Sequence, residues 1–287
     1  MSRRPGRNPV RSFAGRRGQA GTSGHRLVRV YFWSRTQQFR FFRLVSAVFT
    51  GCWLGLLSKS DLEAVDDAYY VGTGPDHSSL DYGSPEYNQR GLFGWERRAV
   101  DEFFPREGKL AVLGAGGGRE VLALRQMSYR VDGWECQPAF VESANTLLRA
   151  HGLGSCVSLV PRDTVPDGPA KYDGLVIGWA AYTLMSGRAR RVELLRALRT
   201  KVESGAPILL SFHGRSAGDA RYRIAVTVGN LWRRLLGRER VEVGDFLDPN
   251  FVHQFIEDEV VAELWAGGFE VRAYTPGDDA YAVAVAV

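Results

Sequence analysis

A glycine-rich turn directly after a short apolar run is the feature that most constrains this chain. Residues 110–113 are apolar, and four glycines follow within the next five positions: Gly114, Gly116, Gly117 and Gly118. Apolar residues with helical spacing come next, at Val121, Leu122 and Leu124. A buried strand, a tight glycine turn and a helix N-terminus let the backbone approach a nucleotide-like ligand, because a Cβ would block the turn or the approach.

An acidic residue stands where such a nucleotide site needs one. Residues 129–135 have the composition of the next strand, and Glu135 lies at its C-terminal end. Roughly 20 residues separate the first glycine from the carboxylate that binds the ribose hydroxyls in βαβ nucleotide sites, and the separation of Gly114 and Glu135 is close to that. The pattern therefore predicts a site for an adenosine-containing ligand.

The residues of the turn distinguish between two classes of nucleotide. Arg119 occupies the third small position of the dinucleotide fingerprint, where a small residue allows close helix–strand packing, and this argues against NAD. The spacing Gly114-x-Gly116-x-Gly118 instead resembles the first motif of class I S-adenosylmethionine-dependent methyltransferases. The resemblance implies an α/β, Rossmann-like sandwich of about seven strands with helices on both faces, and S-adenosyl-L-methionine as the cofactor.

The resemblance extends over roughly residues 92–287 and implies a set of cofactor contacts. In the family, a polar residue after the third strand binds the adenine amino group, and Asp163 matches it, although an ordinary turn aspartate is an equal alternative. Val112 stands where the family often has an acidic residue, so contacts to the methionine amine must come from elsewhere. The residues assigned to the cofactor are Gly114, Ala115, Gly116, Gly118, Glu135, Cys136, Asp163, Gly178 and Trp179.

The acceptor is inferred mainly by elimination. The sequence has no N-P-P-Y-type signature for amide or base amino groups and no cysteine pair suited to covalent base methylation, and no metal site is expected. The expected acceptor is a small molecule, such as a secondary metabolite, methylated on oxygen or nitrogen. A hydroxyl acceptor needs a base within hydrogen-bond reach. His213 and His253 are the candidates, with Tyr182 as a positioning residue, and each histidine could equally be structural.

The charge distribution bears on the alternatives. Residues 1–60 contain twelve Lys and Arg and no Asp or Glu, so the basic net charge of +5 belongs to the head of the chain. The remaining body is mildly acidic, which argues against nucleic-acid binding by the whole protein. Three alternatives stay open: an RNA methyltransferase that uses the basic arm, an NAD(P)-binding oxidoreductase, and a ligand sensor without catalysis.

The N-terminal third is predicted to consist of additions to the catalytic domain. Residues 1–29 have the composition of a disordered basic tail, and residues 30–91 are expected to form a helical cap or lid. The uncharged stretch 44–57 is shorter than the about 20 residues that span a bilayer. It is therefore expected to pack on the main domain or to cover the site, and peripheral membrane contact is the less favoured alternative.

Two further segments interrupt the regular pattern. Residues 71–90 lack periodicity and are typical of a binding loop, in which His77, Asp81 and Tyr82 are candidates for shaping the substrate pocket. Residues 214–250 are expected to be a helical insertion, because Ile224, Val228, Leu231 and Leu235 recur at helical spacing. The three cysteines, Cys52, Cys136 and Cys156, form no C-x-x-C pair, which is typical of a reducing cytoplasm.

Overall fold

The computed structural model describes residues 22–70, 72, 82–169, 171–277 and 279–287. The predicted tail up to residue 21 lies outside the described residues, as does half of the loop 71–90, including its candidates His77 and Asp81. The chain divides into two compact units, Met1–Leu44 and Val45–Val287. All the strands belong to the second unit.

A seven-stranded sheet forms the centre of the second unit. Its strands and those of a separate hairpin are β1 (Lys109–Leu113), β2 (Arg130–Glu135), β3 (Val157–Leu159), β4 (Gly174–Ile177), β5 (Pro207–Ser211), β6 (Asp245–Leu247), β7 (Phe251–His253), β8 (Phe269–Thr275) and β9 (Tyr281–Ala286). The order in the large sheet is β3-β2-β1-β4-β5-β9-β8. Strands β1 to β5 are parallel, and β9 pairs antiparallel with both β5 and β8. This arrangement confirms the predicted fold class, with the antiparallel strand β9 lying between β5 and the edge strand β8.

Helices flank this sheet and precede it. They are α1 (Thr22–Leu56), α2 (Lys59–Tyr70), α3 (Pro85–Asn88), α4 (Gly94–Phe103), α5 (Arg119–Gln126), α6 (Pro138–Ala150), α7 (Arg188–Arg199), α8 (Ala220–Leu235) and α9 (Glu257–Ala266). Successive side chains of a strand point to opposite faces, so β1 divides its apolar residues between two cores. Leu110 and Val112 pack with α4, α5 and α6, whereas Ala111 and Leu113 pack with α7 and α9. Burial on both faces explains the continuous apolar runs of β1, β4 and β5.

The insertion 214–250 differs from its prediction in two ways. It contributes strand β6 and leads into the antiparallel hairpin β6–β7, which the helical pattern did not predict. It also contains α8, but the predicted apolar stripe is not the buried face of that helix, because Leu231 is 62% exposed and Leu235 is 71% exposed. The residues that α8 buries are Tyr222, Ala225, Val226, Gly229 and Arg233.

Helix α1 is longer than the sequence predicts. It begins at Thr22, inside the segment 1–29 predicted to be disordered, and continues to Leu56. Over Arg26–Leu56 it is long and apolar enough to cross a membrane by length and composition, and only 28% of its most apolar window is buried. The segment was expected to be too short to span a bilayer, because that expectation counted only the uncharged residues 44–57.

Candidate cofactor and acceptor site

A cavity of about 430 Å³ opens at the carboxyl ends of the parallel strands. Leu113 at the end of β1, Glu135 at the end of β2, Trp179 after β4 and His213 after β5 all line it. In open α/β sheets ligands bind at this edge, where neighbouring connections diverge. The volume lies within the roughly 300–1,000 Å³ of small-molecule sites.

The glycine turn forms the floor of the cavity. Gly114, Gly116 and Gly118 have φ values of 70°, 51° and 97°, in the left-handed region that glycine adopts without a Cβ clash. A Cβ at Gly117 would lie 2.3 Å from Asn88 Nδ2 and 2.4 Å from the carbonyl oxygen of Tyr82. The turn therefore needs glycine for its backbone conformation and for its close packing against the segment around α3.

Glu135 is held by three backbone N–H groups. Gly116 N–H donates to its Oε2 at 2.8 Å, and the N–H groups of Cys136 and Gln137 donate to its Oε1 at 2.8 and 2.9 Å. The side chain is buried but reaches the cavity surface. Glu135 thus ties the glycine turn to the end of β2, and its Oε2 retains a lone pair for a ligand hydroxyl.

Arg119 lies at the centre of a buried charge cluster that the sequence analysis missed. Its guanidinium donates to both oxygens of Glu96, at 2.6 and 2.7 Å, and to Glu120 Oε1 at 2.6 Å, and its side chain is 2% exposed. Burial raises the pKa of Glu96, and the charge of Glu120 acts in the same direction, whereas Arg119 opposes both. One guanidinium beside two carboxylates leaves a net negative charge next to the cavity.

Glu120 brings that charge to the cavity wall. It lines the cavity, and its Oε1 also accepts a hydrogen bond from the N–H of Trp179 at 3.1 Å. Val112, where the related family often has its acidic residue, is fully buried in β1. A negative charge is therefore supplied here from the first turn of α5. The signal in the sequence was the pair Arg119–Glu120 directly after the glycines.

The other residues assigned to the cofactor fall into two groups. Cys136, Asp163 and Trp179 line the cavity, together with Gly114, Ala115 and Gly116. Gly118 and Gly178 do not line the cavity. Gly178 packs against the turn, since a Cβ at this position would lie 2.2 Å from the carbonyl oxygen of Gly114. Burial and the neighbouring Glu135 raise the pKa of Cys136 to about 12, so its thiol stays protonated at neutral pH. Burial also raises the pKa of Asp163.

His213 lies on the wall of the cavity, as expected of a candidate base. Burial lowers its pKa, and the negative charge of Asp248 opposes that effect only in part. The imidazole is consequently neutral at neutral pH and able to accept a proton. The backbone N–H of His213 donates to Thr183 Oγ1 at 2.9 Å, which fixes the start of the loop after β5.

The structure does not support a catalytic role for Tyr182. Its side chain is fully buried and does not line the cavity. The hydroxyl donates to Glu263 Oε2 at 2.7 Å, and Glu263 also accepts from Arg191 at 2.9 and 2.7 Å. Burial raises the pKa of Tyr182 well above its ordinary value. The residue therefore belongs to an internal polar network between α7 and α9.

His253 is likewise structural rather than catalytic. It lies in β7, is 2% exposed, and its Nδ1 pairs with Asp245 Oδ1 at 2.6 Å across the hairpin. Potential ligand atoms of Glu242, Asp245 and His253 lie within 4.8 Å of one another. Arg191 already pairs with Glu242 at 3.0 Å, so the charge of that carboxylate is compensated within the protein.

Residues of α2 and residues beside the hairpin complete the lining of the cavity. Tyr69 and Tyr70 of α2 line it, as do Asn250 and Gln254 beside the hairpin. Asn250 is fixed by Asp66 of α2, whose Oδ1 accepts from Asn250 Nδ2 and from the N–H of Phe251, both at 3.1 Å. Helix α2, part of the predicted cap, thus contributes directly to the cavity.

The burial and hydrogen bonding of Asp66 predict how the stability of the fold depends on pH. Burial raises its pKa from 3.8 to about 7, although the hydrogen bond from Asn250 and the charge of Arg162 oppose the shift. Between about pH 4 and pH 7 the folded carboxyl retains a proton that the unfolded chain releases, so stability falls as the pH rises. Asp66→Asn keeps the accepting oxygen and is expected to remove this decline, which amounts to at most about 4 kcal/mol.

Denaturant unfolding at a series of pH values measures this effect. Asp101→Asn is the matched control, because it makes the same change from carboxyl to amide at an exposed position of α4. Equal slopes for the wild type and Asp66→Asn between pH 4 and pH 7 would show that Asp66 is ionised in the folded protein.

Solved structures with the same architecture support the assignment of the fold. A methyltransferase from Methanosarcina mazei, described as S-adenosylmethionine-dependent, is 18% identical, with a TM-score of 0.54 over 69% of this chain and 99% of that one. A protein from Pyrococcus horikoshii OT3 is 13% identical, with a TM-score of 0.54 over 76% and 97% of the two chains. An amino pentose methyltransferase from Micromonospora echinaspora, solved with its cofactor bound, is 16% identical, with a TM-score of 0.50 over 75% and 100%.

This chain has the fold of the class I S-adenosylmethionine-dependent methyltransferases. No family model matches the sequence, and no curated protein matches it. The likeness to these solved structures extends over 69% to 76% of the chain.

Proposed function

We propose that this protein transfers the methyl group of S-adenosylmethionine to a small-molecule acceptor. The observation that carries the proposal is the position of Glu135, which is buried at the end of β2 and bonded to the glycine turn, with its carboxylate at the cavity. This arrangement suits a ribose hydroxyl that donates a hydrogen bond to the lone pair left on Oε2. Two proteins of the same fold noted above are described as methyltransferases. One, at 18% identity, is S-adenosylmethionine-dependent, and the other, at 16% identity, is an amino pentose methyltransferase.

The residues of the cavity fit the remaining parts of the cofactor. Asp163 and the backbone around it would bind the adenine amino group at the end of the cavity that follows β3. Glu120, with the net negative charge of its cluster, would bind the amino group of the methionine portion. Trp179 and Tyr82 have ring centroids 6.3 Å apart at the cavity and would provide apolar walls near the sulfonium.

When bound, the cofactor supplies a methyl group that its sulfonium already makes electrophilic, so the protein needs chiefly to align the acceptor and exclude water. His213 would accept the acceptor proton, because its lowered pKa leaves the ring neutral at physiological pH. Asn250 and Gln254 would orient the acceptor by hydrogen bonds. Tyr69 and Tyr70 would cover its apolar part.

Replacing His213 with glutamine tests the proposed base. For a hydroxyl acceptor we expect kcat to fall by about 10²–10⁴-fold. The wild-type rate should rise with pH through a pKa below 6.5 and then level off, because the base acts only when deprotonated, and this limb should disappear in the variant. His151→Gln, at an exposed histidine after α6, is the matched control and should retain both rate and profile. An unchanged profile in His213→Gln would exclude His213 as the base.

Acceptor-dependent formation of S-adenosylhomocysteine tests the activity itself. The protein is incubated with S-adenosylmethionine and a panel of small hydroxyl and amine compounds, and in parallel with total RNA. Turnover with a small molecule would support the proposal. Turnover with RNA alone would favour the alternative in which the basic head of the chain binds nucleic acid, and that activity should weaken steeply with salt.

A further inference from the structure

One face of the second unit is apolar, and none of the residues described in that unit covers it. Residues 45–56 form the C-terminal part of α1, and this segment buries Ala47, Thr50 and Leu54. Its opposite side is apolar as well and is exposed at Val45, Val48, Phe49, Trp53 and Leu56, with Phe49 63% exposed. A helix that is apolar around its whole circumference needs an apolar environment on both sides. The fold provides that environment on one side only.

The segment is held firmly against α8 rather than loosely attached. A Cβ at Gly51 would lie 2.5 Å from the carbonyl oxygen of Ala225, and one at Gly55 would lie 2.5 Å from Trp232 Cβ. The backbones of the two helices are therefore in close contact. Arg233 also donates to the carbonyl oxygens of Leu54 and Leu57, at 2.7 and 3.0 Å, and so satisfies the end of α1. The outward side chains are consequently fixed in place.

Helix α8 continues the same apolar surface. Trp232 contacts Gly55 of α1 and is itself 39% exposed. Around it, the exposed apolar residues of α8 and the residue that follows it are Leu231, Leu235 and Leu236. We call this combined surface, formed by residues 45–56 and 231–236, the apolar face. Contiguous exposed surfaces of this kind mark sites of interaction with proteins or membranes.

The charges around the apolar face decide between these partners. Residues 45–60 contain Lys59 and no acidic residue, and α8 carries the exposed Arg223 and Arg234 with no Asp or Glu. A second copy of this chain would present the same positive charge, so self-association is opposed by repulsion. Aromatic and aliphatic side chains bordered by arginines are instead the composition of helices that lie on anionic lipid.

The upstream part of α1, considered by itself, has the same character. It exposes Phe32, Trp33, Phe39, Phe41 and Phe42, and Arg29, Arg35, Arg40 and Arg43 are distributed among them. All four of these arginines lie inside the candidate span Arg26–Leu56. An arginine at the centre of a bilayer is costly, whereas one at the headgroup level is favourable, so this composition suits a helix in the membrane surface.

We infer that this protein binds the surface of an anionic lipid bilayer through the apolar face, with α1 embedded in the headgroup region. The inference does not depend on the proposed methyl transfer, because it rests on residues away from the cavity lining. The sequence favoured packing of the stretch 44–57 on the main domain over contact with a membrane. The exposed apolar side chains of this stretch reverse that preference.

Sedimentation of the full-length protein with vesicles tests the inference. We expect binding to vesicles of phosphatidylcholine with 30% phosphatidylglycerol, and much weaker binding to pure phosphatidylcholine. Phe49→Ser/Trp53→Ser should weaken binding by about tenfold or more, because both rings leave water on insertion. Val261→Ser/Trp265→Ser is the matched control, since these exposed side chains lie on α9, and it should bind like the wild type.

A second pair of variants tests the charge. Arg223→Gln/Arg234→Gln replaces two exposed arginines of α8 and should reduce both the affinity for anionic vesicles and its salt dependence. Circular dichroism must show that all variants retain the wild-type fold. Equal binding by both serine pairs would overturn the assignment of the apolar face. A dimer in solution that Phe49→Ser/Trp53→Ser dissociates, without vesicle binding by the wild type, would overturn the membrane as its partner.

Discussion

Replacing Arg119 with methionine is expected to lower the free energy of unfolding by about 3–5 kcal/mol. The substitution keeps much of the side-chain volume but leaves the carboxylates of Glu96 and Glu120 without their counter-ion inside the protein. It also removes the hydrogen bond to the carbonyl oxygen of Gly91 at 2.9 Å and the contact of the guanidinium with the Phe93 ring, 3.9 Å from its centroid. Denaturant titration of the purified variant measures the loss.

Arg97→Met is the matched control for this prediction. Arg97 pairs with Asp101 at 2.9 Å on the surface of α4, one residue from Glu96, and both partners are about half exposed. Exposed ion pairs of this kind contribute about 1 kcal/mol or less. Arg119→Lys should fall between the two, because lysine restores the charge without the two-pronged geometry. If Arg119→Met were no more destabilising than Arg97→Met, the buried cluster would not hold the fold in the way described.

Replacing Glu135 with alanine is expected to weaken binding of S-adenosylhomocysteine by at least about tenfold. Two effects contribute. The ribose loses its carboxylate partner, and the N–H groups of Gly116, Cys136 and Gln137 lose the acceptor that ties the glycine turn to β2. Isothermal titration calorimetry measures the change, with Glu142→Ala at an exposed position of α6 as the control.

A shorter ligand separates the two acidic contacts of the cavity. 5′-Methylthioadenosine carries the adenosine but lacks the amino-acid portion. Its binding should weaken in Glu135→Ala and stay unchanged in Glu120→Gln, whereas S-adenosylhomocysteine should bind more weakly to both variants. A Glu120→Gln variant that bound both ligands like the wild type would remove Glu120 from the proposed amine contact.

Local patterns in the sequence predicted the central part of the fold well. Strands β1, β4 and β5 are each a short apolar run that ends at a turn, and the glycine spacing specified the turn after β1. Glu135 could be found because its distance along the chain from Gly114 is set by the length of one helix and one strand. These features depend on neighbouring residues only, so a single sequence contains them.

Contacts between distant segments were not predictable in this way. Arg119 pairs with Glu96 across 23 positions, and Asp66 bonds to Asn250 across 184. No local pattern indicates either pair. Tyr182 was predicted to position the acceptor and His253 to act as a base, but the direction of a side chain changes with a single step along the backbone. In the fold both point into polar networks away from the cavity.

The prediction that the apolar stripe of α8 is its buried face was wrong for a related reason. Its helical spacing was predicted correctly, but spacing alone does not say which face packs on the protein, and glycine-mediated contact with α1 selected a different face. The exposed leucines that result are part of the surface for which we propose a membrane. Leu231 and Leu235, which the pattern assigned to the buried side of α8, are thus part of the proposed membrane-binding surface.

The most direct test of the central claim is calorimetric titration of the purified wild-type protein with S-adenosylhomocysteine, beside a titration with NAD. We expect saturable binding of S-adenosylhomocysteine to one site per chain. We expect no comparable binding of NAD, because Arg119, with its charge cluster, occupies the third small position of the dinucleotide fingerprint. Binding of NAD with no binding of S-adenosylhomocysteine would contradict the central claim and would assign the cavity to a different chemistry.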